Sequence, residues 1–195
     1  PGFARVLHEL ARVWRDDRQR LEESANKVVD HLRRESPVSG SHDETVEPHL
    51  DAYLDVCASV HDHELGGFGG APKFPRPVVL KTLMQVSDRW GRDAGKGAKA
   101  WDMSEATLRA MAAGGMHDQL GGGFHRYSVD RYWHVPHYEK MLYDQAQLAD
   151  AYLDAWQISG DSSFRSVIED TLRYLLDEMK DSCGAFHAAE DADSL

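Results

Sequence analysis

The sequence predicts an all-α fold, a partial α/α toroid built from antiparallel helical hairpins. Three observations carry that expectation. Apolar residues recur at helical spacing along most of the chain, no segment sustains period-two alternation, and one loop pattern returns at an interval of roughly 55 to 65 residues. HDHELGGFGG (61–70) and HDQLGGGFHR (117–126) share an HD pair, a leucine, a glycine pair and a phenylalanine, and CGAFHAAEDADS (183–194) repeats the glycine, aromatic and charged parts. Two helices separate each loop from the next. Helix, loop and helix units stacked around a curved axis would gather all three loops at one rim.

Each element has a local reason. Phe3, Leu7, Leu10, Trp14, Leu21, Ala25, Val28 and Leu32 fall on one face, so residues 1–35 are expected to form one long connecting helix. Ser36, Pro37, Ser39 and Gly40 end it and open a polar linker over 36–44. Helical hairpins with glycine-aromatic loops fill 45–195, and the whole of 1–195 reads as a single domain. The first of these helices covers about Thr45 to His61, with Leu50, Tyr53, Leu54, Cys57 and Val60 inward. It stops where the glycines and prolines of 66–77 forbid continuation. Pro77 suits the first turn of the next, through Leu80, Leu83, Met84 and Trp90. GRDAGKGAK (91–99) reads as a polar connection, and Asp102 with Glu105 resembles a capping box opening a helix through Leu108 and Met111. Pro136 fits the first turn of a helix carrying Leu142, Ala146, Ala149, Leu153 and Trp156, which Gly160 ends. Asp161 or Ser162 caps the last helix, with Phe164, Ile168, Leu172, Leu175 and Met179 inward and Gly184 as its stop.

With 42% hydrophobic and 28% charged residues among 195, the chain has ordinary globular composition and enough apolar material for a core. A net charge of -11 offers no basic face to a phosphate backbone, so nucleic acid is not expected as a partner. No apolar run approaches the length of a membrane span, and no membrane partner is expected. Cys57 and Cys183 match neither a CxxC pair nor a zinc spacing, which, with no signal peptide, fits a reducing cytoplasm. The start at Pro1 and the polar end at AEDADSL read as the cut ends of a longer protein.

The densest chemistry lies between Gly114 and Gln147, where glycines, histidines, aromatics and paired charges crowd into one loop. His125 and His137 could bracket a ligand together with Glu139 or Asp191. Imidazole beside carboxylate is the usual way to hold a proton-transfer group near neutral pH, so these four are the catalytic candidates. Phe68, Tyr127 and Trp133 would supply flat walls for a polyhydroxylated ligand. Lys73, Arg126, Asp130, Lys140, Asp144 and Glu190 would supply its polar contacts. Alternatively, Arg126, Asp130, Glu139 and Lys140 form an ion network that fixes the loop. Trp14, Trp90 and Trp156 sit on helix faces and are expected in the core, whereas Trp133 is expected to be partly exposed. His134, His137 and Glu139 lie close together, as do His61, His63 and Glu64, yet HxxHxE across Pro136 is no recognised ligand spacing and no metal is expected. GGFGGAPKFP lacks the GK[ST] ending of a phosphate loop and GGGF lacks GxGxxG, so no nucleotide or other cofactor is expected either.

GGFGGAPKFPRP (66–77), LGGGFHRYSVDRYWHVPHYEKMLYDQAQL (120–148) and AEDADS (189–194) resemble the helical part of the thioredoxin-domain proteins related to spermatogenesis-associated protein 20, bacterial YyaL among them, over essentially the whole chain. That resemblance implies an N-terminal thioredoxin-like domain in cis, absent from this chain. It also implies a six-hairpin toroid similar to N-acylglucosamine 2-epimerases and six-hairpin glycosidases. Phe3 to Leu32 would directly follow the missing domain, and Leu195 would fall about midway round the ring. The functional expectation is a role in carbohydrate metabolism, binding a sugar-like small molecule or isomerising or epimerising it by histidine and carboxylate acid-base chemistry. The rival expectation is a non-catalytic scaffold or partner-binding module for the redox domain. A broken ring exposes apolar helix faces, so a homodimer of the chain is a further expectation.

Overall fold

The computed structural model describes residues 2–35 and 45–193, and the chain divides into two compact units, Pro1–Thr45 and Val46–Leu195. The polar linker expected at 36–44 lies outside the described residues. Among those described, no helix is long and apolar enough to cross a membrane.

In the first unit the single helix expected over 1–35 is instead two, α1 (Phe3–Asp16) and α2 (Arg18–Glu35). Asp17 makes the break. Its backbone leaves the helical region at φ -152° and ψ 60°, and its amide donates to the Val13 carbonyl at 2.8 Å. Its carboxylate accepts from the Arg20 amide at 3.3 Å, so one residue closes α1 and caps α2. The apolar stripe runs through this break, which is why periodicity alone reads it as continuous. Trp14, expected in the core, is instead 46% exposed, with the Arg18 guanidinium 4.3 Å from its ring centre.

The second unit holds α3 (Glu47–Val60), α4 (Pro77–Trp90), α5 (Gly95–Ala113), α6 (Leu142–Ser159) and α7 (Ser162–Tyr174), the last running into a π-helical turn over Leu175–Met179. α4 packs on α5 and α6, and α6 packs on α7. Leu80, Leu83, Leu108, Met111, Leu148 and Ala151 are fully buried between them. The Tyr152 ring enters the same core and its hydroxyl donates to the Leu108 carbonyl at 2.7 Å, so the buried polar atom keeps a partner. Gly160 closes α6 in the left-handed conformation, and the Asp161 carboxylate accepts from the Ser163 amide at 2.8 Å to start α7, both as the sequence reads.

Two helix starts differ from expectation. α5 begins at Gly95, not near Asp102, because Gly97, Ala100 and Trp101 are buried in the core and packing overrides their weak local preference. α6 begins at Leu142, not at Pro136. The intervening residues are held in short strands instead: β1 (Tyr127–Ser128) pairs with β2 (Pro136–His137), and β3 (Lys140–Met141) pairs with β4 (Ala189–Glu190). These two-residue ladders are the only named strands among the described residues, in keeping with an all-α fold.

Candidate functional site at the loop rim

The three glycine-aromatic loops share one backbone plan. His61 bridges Phe68, His117 bridges Phe124, and Lys180 bridges Phe186. Within each, an aspartate amide donates across the turn: Asp62 to Gly67 and Asp118 to Gly123, both at 2.9 Å, and Asp181 to Ala185 at 2.8 Å. A buried lysine completes the first two. The Lys73 ammonium donates to Asp62 at 2.8 Å and to the Gly66 carbonyl at 2.7 Å. The Lys140 ammonium donates to Asp118 at 2.8 Å and to the Gly122 carbonyl at 2.9 Å. Each of these two loops then receives an aromatic ring that a glycine must admit. A Cβ on Gly67 (φ 86°) would lie 2.6 Å from the Trp133 ring, and one on Gly123 (φ 73°) would lie 2.5 Å from the Tyr174 ring.

Backbone pairing also joins the loops to one another. Lys73 and Ser128 exchange amide-to-carbonyl bonds of 2.8 Å in both directions, and Lys140 and Met141 pair with Glu190 and Ala189. Residues near 68, 125 and 190 therefore do meet at one rim, as the repeat spacing implies.

Side-chain alternation sorts this patch into two faces. Lys73, Ser128 and Pro136 point down and are buried. Phe74, Tyr127 and His137 point up with their rings together: Tyr127 stacks on His137 with ring centres 4.9 Å apart, and Phe74 lies 4.8 Å from Tyr127, tilted by 30°. Beside this stack the Arg126 guanidinium donates to Glu139 Oε2 at 2.7 Å, and His137 Nδ1 lies 3.9 Å from the same oxygen. Arg126 Nε and His137 Nδ1 are buried atoms with no hydrogen-bond partner among the described residues. Asp144 is buried in the first turn of α6. Burial raises its carboxyl to about 6 despite the nearby Arg126 charge, with the Glu139 carboxylate adding to the rise.

His125 is buried edge-on to the Tyr138 ring, and the charges that act on it are those of Lys140, Asp118 and Glu190. Its Nδ1 lies 3.0 Å from the Tyr138 carbonyl, an acceptor only, so Nδ1 carries the hydrogen and Nε2 keeps its lone pair. Burial lowers its pKa, and this outweighs the Tyr138 bond.

Among the other candidates, the structure gives several a wholly internal engagement. Phe68 is buried in the core, and Lys73 and Lys140 are held in the ion pairs just described. Trp133, expected to be partly exposed, is 1% exposed: its backbone adopts φ 63°, its indole donates to the Leu65 carbonyl at 2.9 Å, and the ring wedges against Gly67. Its position in a polar loop hid that role. Burial opposes the charge on Asp130, yet the amides of Val135, His134 and Tyr132 and the Ser128 hydroxyl hold its carboxyl below the usual range, so it organises its own loop. Glu190 accepts from the Tyr174 hydroxyl at 2.6 Å and acts electrostatically on His125. Asp191 is exposed and accepts from the Asp193 amide. Sequence reasoning missed Phe74, whose place in the stack follows from strand alternation once Lys73 is paired with Ser128. It also missed Asp62 and Asp118 as the anions that receive the two lysines. A cavity of about 320 Å³ lies beside Trp133, lined by His63, Glu64, Tyr132 and His134 over Ala106 and Ala110, and includes neither His125 nor His137.

No family model matches the chain. Over 99% of its length it is 42% identical to spermatogenesis-associated protein 20 of Homo sapiens and of Rattus norvegicus, and over 100% it is 37% identical to an uncharacterized protein of Caenorhabditis elegans. The chain spans about a quarter of the length of these relatives. Among solved structures it is similar to a sugar epimerase from a ruminal bacterium, with TM-score 0.60 and 16% identity over 76% of this chain and 41% of that one. It is also similar to cellobiose 2-epimerase from Spirochaeta thermophila, with TM-score 0.56 and 19% identity over 76% and 42% of the two chains. D-mannose isomerase follows with TM-score 0.55 and 17% identity over 74% and 41%. At such identities the likeness concerns the fold. The chain is thus a homologue of spermatogenesis-associated protein 20 that carries part of a sugar-epimerase-like α/α toroid.

Proposed function

We propose that the loop rim binds a sugar-like molecule and that, in the whole protein, histidine and carboxylate groups there isomerise or epimerise it by proton transfer. The observation that carries this reading is the Phe74, Tyr127 and His137 stack set beside the paired Arg126 and Glu139. A flat aromatic face suits the apolar C–H side of a pyranose, while fixed polar groups at its edge suit hydroxyls. His125, neutral and with its Nε2 lone pair free, is equipped to accept a proton. The relatives of known structure are named as sugar epimerases and isomerases, which supports the same class of ligand. A cytoplasmic setting in carbohydrate metabolism fits this reading.

The test is calorimetric titration of the full-length protein with D-glucose, D-mannose and cellobiose, alongside Tyr127→Ala and His137→Ala. Binding by the wild type, weakened about tenfold or more by Tyr127→Ala, is the expected result. Absence of binding for every sugar would sink the proposal.

The buried pairs Lys73 with Asp62 and Lys140 with Asp118 favour a second reading, in which rigid loops make the toroid a non-catalytic scaffold for a thioredoxin-like domain in cis or for another partner. Exposed Leu172 and Leu176 likewise support self-association of the isolated chain, which light scattering would reveal.

A further inference from the structure

Six aspartates of the second unit have carboxyls displaced from their ordinary value, and these fall into two groups by what surrounds them. Asp62 receives Arg131, Lys73 and the Leu65 amide, and Asp118 receives Lys140 and the amides of Gly121 and Leu120. Asp130, Asp161 and Asp181 are likewise wrapped by donors, and all five carboxyls are held below their ordinary value. These are structural anions. Asp144 is built the other way: it is 7% exposed, and among the described residues nothing donates a hydrogen bond to its carboxyl.

The local backbone keeps that carboxyl where it is. The Leu142 amide donates to the Ala188 carbonyl at 3.0 Å, which ties the start of α6 to the third loop. Gln145, the next residue, is locked to the second loop, its Oε1 accepting from the Phe124 amide at 2.7 Å and its Nε2 donating to the Phe124 carbonyl at 2.6 Å. Asp144 sits between these two anchors. The charged groups that act on it are Arg126 and Glu139, with His137 behind Glu139 and Tyr143 beside Arg126. Arg126 is already paired with Glu139, so Asp144 has a cation near it but no salt bridge of its own among the described residues. A carboxyl in such a place keeps its proton up to about pH 6, well past an ordinary aspartate, and while protonated it offers an O–H.

We infer that Asp144, rather than Glu139 or Asp191, is the proton-donating acid of the rim site, an inference that rests on the sugar-binding reading above. In the transfer, the Asp144 O–H bond breaks as a bond from that hydrogen to a ligand oxygen forms. The electron pair stays on Asp144, and its new carboxylate charge faces the Arg126 guanidinium. Return of a proton from the ligand restores the acid. Glu139 keeps Arg126 in place and is a positioning residue in this scheme.

Carboxyl-carbon NMR of aspartate-labelled full-length protein tests the acid directly, with Asp144→Asn as the assignment control. One resonance titrating near pH 6 and missing from Asp144→Asn is expected. Glu139→Gln should lower that midpoint and Arg126→Gln raise it, each by about half a pH unit or more, which identifies the group even if Asp144→Asn does not fold. If the resonance lost in Asp144→Asn titrates below about pH 4.5, the inference is overturned. The ligand arm uses D-mannose, D-glucose and cellobiose between about pH 5 and 8. Wild-type affinity should fall at least about threefold as pH rises through the Asp144 midpoint, and Asp144→Asn should show a flat profile. An unchanged pH profile in Asp144→Asn overturns the donor role and leaves the sugar reading standing. Failure of all three sugars to bind removes both, and the carboxyl titration then shows that it is the ligand reading that failed.

Discussion

Replacing Lys140 by methionine isolates the role of the buried ion pairs. Methionine preserves most of the stem and removes the ammonium, which is 4% exposed by residue and donates to Asp118 at 2.8 Å and to the Gly122 carbonyl at 2.9 Å. It also removes a cation 4.3 Å from the Tyr174 ring centre. Asp118 keeps the Gly121 and Leu120 amides, at 2.9 and 3.0 Å, but loses its counter-charge. Breaking a buried pair from one side costs about 3–5 kcal/mol. Because the Asp118 side chain is 25% exposed, the cost belongs at the lower end, about 3 kcal/mol. That is a large share of a typical domain stability of about 5–15 kcal/mol. Urea unfolding followed by helical circular dichroism at neutral pH measures it, with an unchanged slope showing that the denatured state is unaffected. Adding Asp118→Asn removes the stranded charge, so the double variant should recover about 1–2 kcal/mol relative to additivity. The sign with pH follows from Asp118, whose carboxyl is held below its ordinary value: burial opposes this, but Lys140 and the two amides outweigh it. Its contribution is present above the unfolded value of 3.8 and lost as pH falls through the lower folded value, so the Lys140→Met deficit should shrink in acid. Single and double variants that add without coupling, or a single-variant cost below about 1 kcal/mol, would refute the reasoning.

Three further outcomes are expected. Gly123→Ala combines a positive φ of 73° with a Cβ 2.5 Å from the Tyr174 ring, and thermal unfolding should show a loss of about 2–4 kcal/mol. Asp144→Asn should stabilise the protein at pH 8 by up to about 3 kcal/mol and change little at pH 4. The sign holds because a carboxyl raised from 3.8 to about 6 contributes its stability below the unfolded value and loses it as pH rises through 6; parallel unfolding curves at the two pH values check this. Asp161→Ala removes the cap on the Ser163 amide and a 2.6 Å pairing with Arg109, and should cost about 1–2 kcal/mol by chemical denaturation.

Where the sequence was legible, the controlling interactions are short in chain distance. Helix faces repeat every three or four residues, so Leu80, Leu83, Leu108 and Met111 were identifiable as core before any fold was known. Gly160 and Asp161 act on amides and carbonyls within four residues, so that stop and start were readable as well. The HD and glycine-phenylalanine pieces encode one turn twice, and Asp181 with Phe186 builds a related third, each closed by a bond from an aspartate amide to a residue four or five positions on. From those three loops and the helices between them, the all-α toroid and its shared rim followed from the sequence alone.

Other features were decided only by residues far apart in the chain. Trp133 is buried because Leu65 and Gly67 come to meet it, and α5 starts early because the core accepts Trp101. Pro136 lies in a strand because Ser128 is opposite it, and Lys73 and Lys140 face inward because aspartates in the returning turns receive them. The acid character of Asp144 belongs to the same class. In the sequence it is one carboxylate among several, and only burial in the folded chain raises its carboxyl to about 6. Local pattern fixes which face a side chain takes, whereas charge state and exposure depend on what the folded chain brings to that face.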